Sequence, residues 1–247
     1  MIRFIDFFKT THLEYIEDDA EFDEWLGVIT ENIILEKAWS TSSGVQPWAK
    51  NLPAGYEKAS AAQITDMVNN VIYPAVQKDY AVYNRTVQKI ASQVKGGKYK
   101  PTPLKSAKSI ISKISRGKKM GQLHDIIRGS IYVKTAEDLA VIHSQIKKHF
   151  KIFELDNKKI GGDKNFGYYG SHHYKIELPD GNIGEIQVMT RDLANVKSTA
   201  HKIYDDQRDK IAADPNYANS PEFKKAQKSS KDLFRRGAGK KGIRVTA

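Results

Sequence analysis

The sequence predicts an α+β fold: a mixed four- to five-stranded sheet with flanking helices and a helical N-terminal extension. Three observations carry that reading. Segments rich in β-branched residues alternate with helix-period segments from Leu104 onward. Pro179-Asp180-Gly181 lies between two apolar-alternating runs and reads as a hairpin turn. Thr135 and Thr190 each stand one residue before a helix-like stretch, where an N-cap belongs.

The elements follow in order. Residues 1–50 mix acids with Phe4, Phe7, Phe8, Trp25, Ile33, Ile34, Leu35 and Trp39, suggesting short helices packed on something else. Asn51 to Gly55 reads as a turn. Residues 59–94 carry a helical period, with Pro74 expected to kink or break the run. Gly96-Gly97, Pro101 and Pro103 read as a linker, and Leu104 to Arg116 as a basic amphipathic helix. Strands are expected at 126–133, 150–155, 171–178 and 182–189, with a helix from Thr135 to about Lys148. A long helix runs from Thr190 to about Ala213 and another over 221–234, before a basic tail. The expected division is a helical N-terminal region (1–95), a central domain (96–213), and a C-terminal helix with tail (214–247).

A chain of 247 residues can bury a sizeable core. No apolar run approaches the roughly 18 residues of a membrane span, so no membrane association is expected. The N-terminal twenty residues carry acids and lack a secretory pattern. The chain has no cysteine, which excludes disulfides, thiol catalysis and Cys-zinc sites and fits a cytoplasmic location, in the producing or a target cell. The net charge of +11 favours polyanionic partners such as nucleotides, RNA or DNA. The charge is not evenly spread: Lys95 to His124 holds nine Lys or Arg and no acid.

The candidate site residues fall in these segments. Asp125 stands at the start of the first core strand, where a carboxylate can hold a metal or simply face water. Arg128, within an otherwise apolar and small segment, needs a carboxylate or a phosphate as partner. Alternation puts Ile183, Glu185, Gln187 and Met189 on one face of the last strand. If Asp125 and Glu185 lie on neighbouring strands, their oxygens can share one Mg²⁺, whose shell water and substrate phosphates complete. Lys105, Ser109, Lys113 and Arg116 recur at helical spacing and can cradle phosphates, although a nonspecific RNA-binding helix has the same look. Phe166 to Tyr174 is rich in glycines and aromatics, fit either to approach a ligand or to cover the core. His172-His173 matches no standard zinc spacing. His201 and Tyr204 share a face of the long helix.

Taken in order, these pieces resemble the synthetase domain of the RelA/SpoT family, the ribosome-linked, small and toxic alarmone synthetases, over about residues 100–210. Lys105-Ser106-x-x-Ser109-Ile110-x-x-Lys113 looks like the family's ATP-phosphate motif. Asp125-Ile126 looks like the start of Asp-Ile-x-Gly-x-Arg. Asp156, Lys164, Gly167-Tyr168 and His172 follow the Asp, Lys-x-x-Gly-Tyr-x-x-x-His pattern. Glu185-Ile186-Gln187 with Thr190 matches Glu-Ile-Gln-x-x-Thr, and His201 with Tyr204 matches His-x-x-Tyr. Four positions depart: Arg128 and Ser130 stand for the Gly and Arg of the second motif, and Tyr169 and Gly170 for the Arg and Ser after Gly-Tyr.

The resemblance implies an ATP-dependent pyrophosphokinase that transfers pyrophosphate to a nucleotide 3′-hydroxyl, with Mg²⁺ as cofactor. It makes Asp125 and Glu185 the catalytic, metal-holding acids, and Lys105, Ser109 and Lys113 the ATP-phosphate ligands, to which the reading of the residues themselves adds Arg116 and Arg128. Lys164, Tyr168, His172 and Gln187 would bind the acceptor, with His201 and Tyr204 supporting. The implied partners are ATP with GDP or GTP; adenosine nucleotides and tRNA are further acceptors, and an antitoxin or immunity protein a further partner. The alternative is a catalytically decayed nucleotide- or RNA-binding regulator or phage accessory protein.

Overall fold

The computed structural model describes residues 44–157 and 171–239. Helix α1 (Ala61–Met67) starts at Ser60, whose hydroxyl accepts from the Gln63 amide while the Gln63 side chain returns the bond, a reciprocal cap. A π turn over Val68–Ile72 joins it to α2 (Tyr73–Ala91). Pro74 therefore neither breaks nor ends the run. It sits in the first turn of α2, where the missing N–H costs nothing, and the widened turn before it absorbs the ring.

The expected linker contains a strand. After Gly96, in the left-handed region, the chain forms β1 (Lys98–Pro101). Its Pro101 is tolerated because β1 is an edge strand. The basic helix α3 is shorter than expected, Ala107–Ile114, because the Ser106 hydroxyl caps it by accepting from the Ser109 amide. Strand β2 is Arg128–Val133, so Asp125 lies in the turn before the strand rather than at its first residue. Helix α4 (Ala136–His149) begins at Thr135 with Asp138 completing the cap. Then come β3 (Lys151–Asn157), β4 (Ser171–Glu177) and β5 (Ile183–Thr190). The Pro179-Asp180-Gly181 turn links β4 to β5, with Gly181 at φ +81. Helix α5 (Arg191–Ala213) is capped by Thr190 as expected, and α6 (Pro221–Gly239) packs on it.

The five strands form one mixed sheet in the order β1-β2-β5-β4-β3. Only the central pair, β2 with β5, is parallel. Alternation divides the sheet into two unlike faces. One is apolar: Ile131, Val133, Ile152, Tyr174, Ile176, Ile186 and Val188 are buried there beneath α2 and α4, which contribute Tyr83, Val87, Ile90, Leu139, Ile142 and Ile146. Alternation puts position 129 on this face too, and a glycine suits it because a Cβ there would lie 2.7 Å from the Tyr99 ring. The same core includes Trp48, Ile64, Met67 and Val68, so the expected boundary at residue 95 does not separate two cores among the described residues. A small second cluster of Ala200 and Phe234 holds α5 against α6.

The opposite face of the sheet is polar. Registered pairing places Arg128, Glu185, Lys175 and Glu154 in one row across β2, β5, β4 and β3. The next row runs Lys100, Ser130, Gln187 and His173 across β1, β2, β5 and β4.

Candidate active site

Both acids singled out by the sequence are at this polar face. The two segments that carry them are joined directly, because the Glu185 amide donates to the Ile127 carbonyl at 2.9 Å. From the apolar side the buried Tyr83 hydroxyl donates to the Glu185 carbonyl at 2.6 Å, fixing that point of β5 from below.

Asp125 gathers cations. Its Oδ2 accepts from Lys105 Nζ at 2.9 Å and Lys113 Nζ at 2.7 Å, with an Arg128 nitrogen at 3.8 Å. Lys105 is itself held by its backbone: its amide donates to Ile126 and its carbonyl accepts from the Tyr73 hydroxyl. Burial pushes the Asp125 carboxyl up, and the charges of Lys105 and Lys113 more than offset it, leaving the pKa below the ordinary aspartate value. Burial also depresses Lys105, against the pull of Asp125, so its pKa lies below an ordinary lysine's. The other oxygen, Asp125 Oδ1, is buried with no hydrogen-bond partner.

Glu185 is surrounded differently. Gln187 Nε2 donates to Oε1 at 2.5 Å, and His173 Nδ1 sits 3.7 Å from Oε2, an ion-pair distance. Lys197, from the second turn of α5, donates to Gln187 Oε1 at 2.9 Å and approaches His173 Nε2 at 3.4 Å. Burial raises the Glu185 carboxyl, but the adjoining His173 ring, the Gln187 amide and the Lys197 ammonium bring it down to about 2.

Among the described residues no cluster of three or more potential metal ligands forms. The two carboxylates still fit Mg²⁺, which takes few protein ligands and completes its shell with water and phosphate oxygens. Asp125 Oδ1, an ionised and unpartnered buried acceptor, is what such an ion needs on the β2 side.

The remaining expected residues divide. Ser109 lies in the first turn of α3, its hydroxyl 3.0 Å from that of Ser106, at the end of the helix that favours anions. Arg116 lies beyond α3, exposed, with Nε donating to the Ser112 carbonyl at 2.8 Å, and is not part of the group on Asp125. Lys164 and Tyr168 lie outside the described residues. His201 and Tyr204 stack on α5 with ring centroids 5.9 Å apart, and the Arg208 guanidinium sits 5.8 Å over the Tyr204 ring.

His172 requires a correction. Strand alternation turns it to the apolar face, opposite Val188, where it is buried near His143 and Tyr174. Burial and the neighbouring histidines hold its pKa down to about 4. The histidine that shares a face with Glu185 and Gln187 is His173. The sequence reading assigns no role to His173, Lys197 or Lys100. For His173 the signal is present: counting outward from the Pro-Asp-Gly turn pairs it with Gln187. Lys197 is unmarked among the charges of a long helix, and Lys100 falls in the stretch read as linker. A surface cavity of about 510 Å³ near Pro53, Tyr56, Gln63 and Met67 shares no residue with this site.

Residues 102–209 match the family model described as the region found in RelA / SpoT proteins. Among solved structures, the Type VI effector Tas1, in complex with its immunity protein, is 19% identical with a TM-score of 0.49, over 67% of this chain and 94% of that one. Small alarmone synthetase 1 from Bacillus subtilis is 13% identical with a TM-score of 0.47, over 67% and 91%. Small alarmone synthetase 2 from the same organism is 20% identical with a TM-score of 0.48, over 66% and 87%. No curated protein matches the sequence.

Proposed function

We propose that this RelA/SpoT-type domain is a pyrophosphokinase that moves pyrophosphate from ATP to the 3′-hydroxyl of a nucleotide, GDP or GTP first among the acceptors. The observation that carries the reading is the convergence, on one sheet face, of two acids with lowered pKa values and a lysine–arginine group beside one of them. The matched RelA/SpoT region supports a pyrophosphokinase-type transferase; the phosphate-donor assignment rests on the cationic group beside Asp125, and the acceptor on the motif resemblance.

Phosphate binding falls to the β2 side. Lys113 and Arg128 keep about a third of their side-chain surface exposed and can turn from Asp125 toward a triphosphate, while the buried Lys105 stays. Ser109 and the start of α3 add donors. Lys100, level with Ser130 on the edge strand, extends the cationic surface along the same face. Asp125 and Glu185 are the residues to hold Mg²⁺, which when bound neutralises phosphate charge and orients the transferred group.

In the transfer the acceptor 3′-oxygen bonds to the β-phosphorus, the bond from that phosphorus to the oxygen bridging to the α-phosphate breaks, and AMP leaves with that oxygen. The hydroxyl proton passes to a base. A carboxylate held at about 2 is a weak resting base, so the first role of Glu185 is to orient and to hold charge. Gln187 fixes the Glu185 carboxylate, and Lys197 in turn fixes Gln187. Most of the rate enhancement rests on positioning and charge neutralisation. An antitoxin or immunity protein is the proposed macromolecular partner.

The test is incubation with labelled ATP and, separately, GDP, GTP, ADP and tRNA, followed by chromatography. AMP release with a pyrophosphorylated acceptor is expected, lost in Glu185→Gln and Asp125→Ala. Full activity in both variants sinks the reading. A product with ADP or tRNA alone reassigns the acceptor. Nucleotide binding without AMP release by the wild type moves the chain to the decayed regulator.

A further inference from the structure

The two acid-bearing segments have a common buttress that lies outside the matched region. Gln46 is 2% exposed. Its side-chain Nε2 donates to the Leu123 carbonyl and to the Ile183 carbonyl, both at 2.9 Å. Its Oε1 accepts from the Ile183 amide at 2.9 Å, and its own backbone amide donates to Gly121 at 2.8 Å. Leu123 is two residues before Asp125, and Ile183 is two residues before Glu185.

The reason for this bond set lies in the sheet. The β2–β5 ladder begins at Arg128 with Glu185, so Ile183 extends past the end of β2 and has no residue of that strand beside it. The Gln46 amide takes the place of the missing peptide unit and satisfies both the N–H and the C=O of Ile183. It then spans to Leu123 with its second hydrogen. A glutamate here would set a carboxylate oxygen against two carbonyl oxygens, and a leucine would leave three buried backbone groups unpaired. Neighbouring contacts fix the same segment: His124 Nε2 pairs with the Gly44 carbonyl at 2.6 Å, and Gly121 leaves room for Ala49, whose Cβ lies 2.8 Å from where a glycine Cβ would be.

We infer that Gln46 is a positioning residue for the metal-holding pair, setting the spacing of Asp125 and Glu185 by tying together the backbone two residues before each. This rests on the pyrophosphokinase reading, in which the two acids share an ion. It gives the segment preceding α1 a part in the chemistry while it touches no substrate. A change there shifts the acids relative to one another.

The experiment compares Gln46→Met and Gln46→Leu with Val87→Ala, a core truncation on α2 that removes none of these hydrogen bonds. Three quantities are read: Mn²⁺ affinity without nucleotide by electron paramagnetic resonance, hydrogen exchange at the Ile183 amide, and AMP release as a function of Mg²⁺. For the Gln46 variants the expected results are 10- to 100-fold weaker Mn²⁺ binding, the range typical of groups that orient metal ligands. Loss of protection at Ile183 and a raised Mg²⁺ requirement should accompany it, with KM for the acceptor unchanged. Val87→Ala should lose stability and keep wild-type Mn²⁺ affinity. Wild-type Mn²⁺ affinity in the folded Gln46 variants, or an equal loss in Val87→Ala, overturns the inference alone. Absence of both Mn²⁺ binding and AMP release in the wild type overturns it together with the reading beneath it.

Discussion

A double-mutant cycle on Lys105 and Asp125 tests the electrostatic centre of the site. The pair is 2.9 Å apart, with side chains 5% and 13% exposed. At an effective dielectric constant of about 20, that distance gives a gross attraction of about 6 kcal/mol. Desolvation consumes much of it, as the depressed Lys105 pKa shows. Lys105→Met leaves Asp125 with Lys113 and is expected to cost about 2 kcal/mol. Asp125→Asn leaves a buried lysine facing an amide and should cost about 3–4 kcal/mol. The double variant should cost little more than Asp125→Asn alone, a coupling of about 2 kcal/mol, read from urea denaturation at pH 7 and low salt. The sign of the pH dependence follows from the lowered Asp125 pKa. Its stabilising contribution is present above the ordinary carboxylate pKa and is lost as pH falls through the lowered value, so Asp125→Asn should flatten the acid limb. A coupling below about 0.5 kcal/mol refutes the pairing and removes the basis for treating Lys105 as the fixed cation of the site.

Three further predictions follow from other parts of the sheet. His172, held at about 4 against about 6.5 unfolded, favours the fold above pH 6.5, and its contribution is lost as pH falls toward 4. Stability should drop by about 2 kcal/mol from this group between pH 7 and 5; an unchanged slope in His172→Phe would assign that drop elsewhere. Lys100→Ala should raise KM for ATP about five- to tenfold at low salt, while Lys89→Ala, an equal charge change on α2, should stay within about twofold; equal effects make Lys100 an edge-protecting lysine only. Arg128→Lys should keep stability near wild type and lose about tenfold in kcat/KM, because an ammonium cannot reproduce the guanidinium fork. Unchanged kinetics would reduce Arg128 to a partner of Asp125.

The elements were legible where local chemistry decides them. The caps at Thr135 and Thr190 and the turn at 179–181 are short-range signals, and all three appear as the sequence implies. Strand β1 was not legible, because Lys98-Tyr99-Lys100-Pro101 forms a strand only by pairing with β2 and by Tyr99 reaching Asn84 on α2. Both acids could be picked from their motifs, whereas their electrostatic setting could not. That setting depends on Lys197 from another element and on which of two adjacent histidines the pleat turns inward. A one-residue difference exchanges the faces, so motif spacing selects His172 while the register selects His173. Gln46 lies 77 and 137 residues from its partners, beyond any local pattern.

The same register bears on the most conspicuous departure in the second motif. Arg128 stands two residues before the position where the family pattern has its arginine, now Ser130. Two residues is one full pleat, so the guanidinium stays on the face that carries Glu185 and is displaced by about 7 Å along β2. The displacement brings it beside Asp125, at 3.8 Å, and level with Glu185. Ser130 leaves its own position short, and Lys100 on the adjoining edge strand stands level with it. The face thus carries a guanidinium beside Asp125 and level with Glu185, and an ammonium from the edge strand. A triphosphate entering here can draw Lys113 and Arg128, each about a third exposed, away from Asp125 while the buried Lys105 remains.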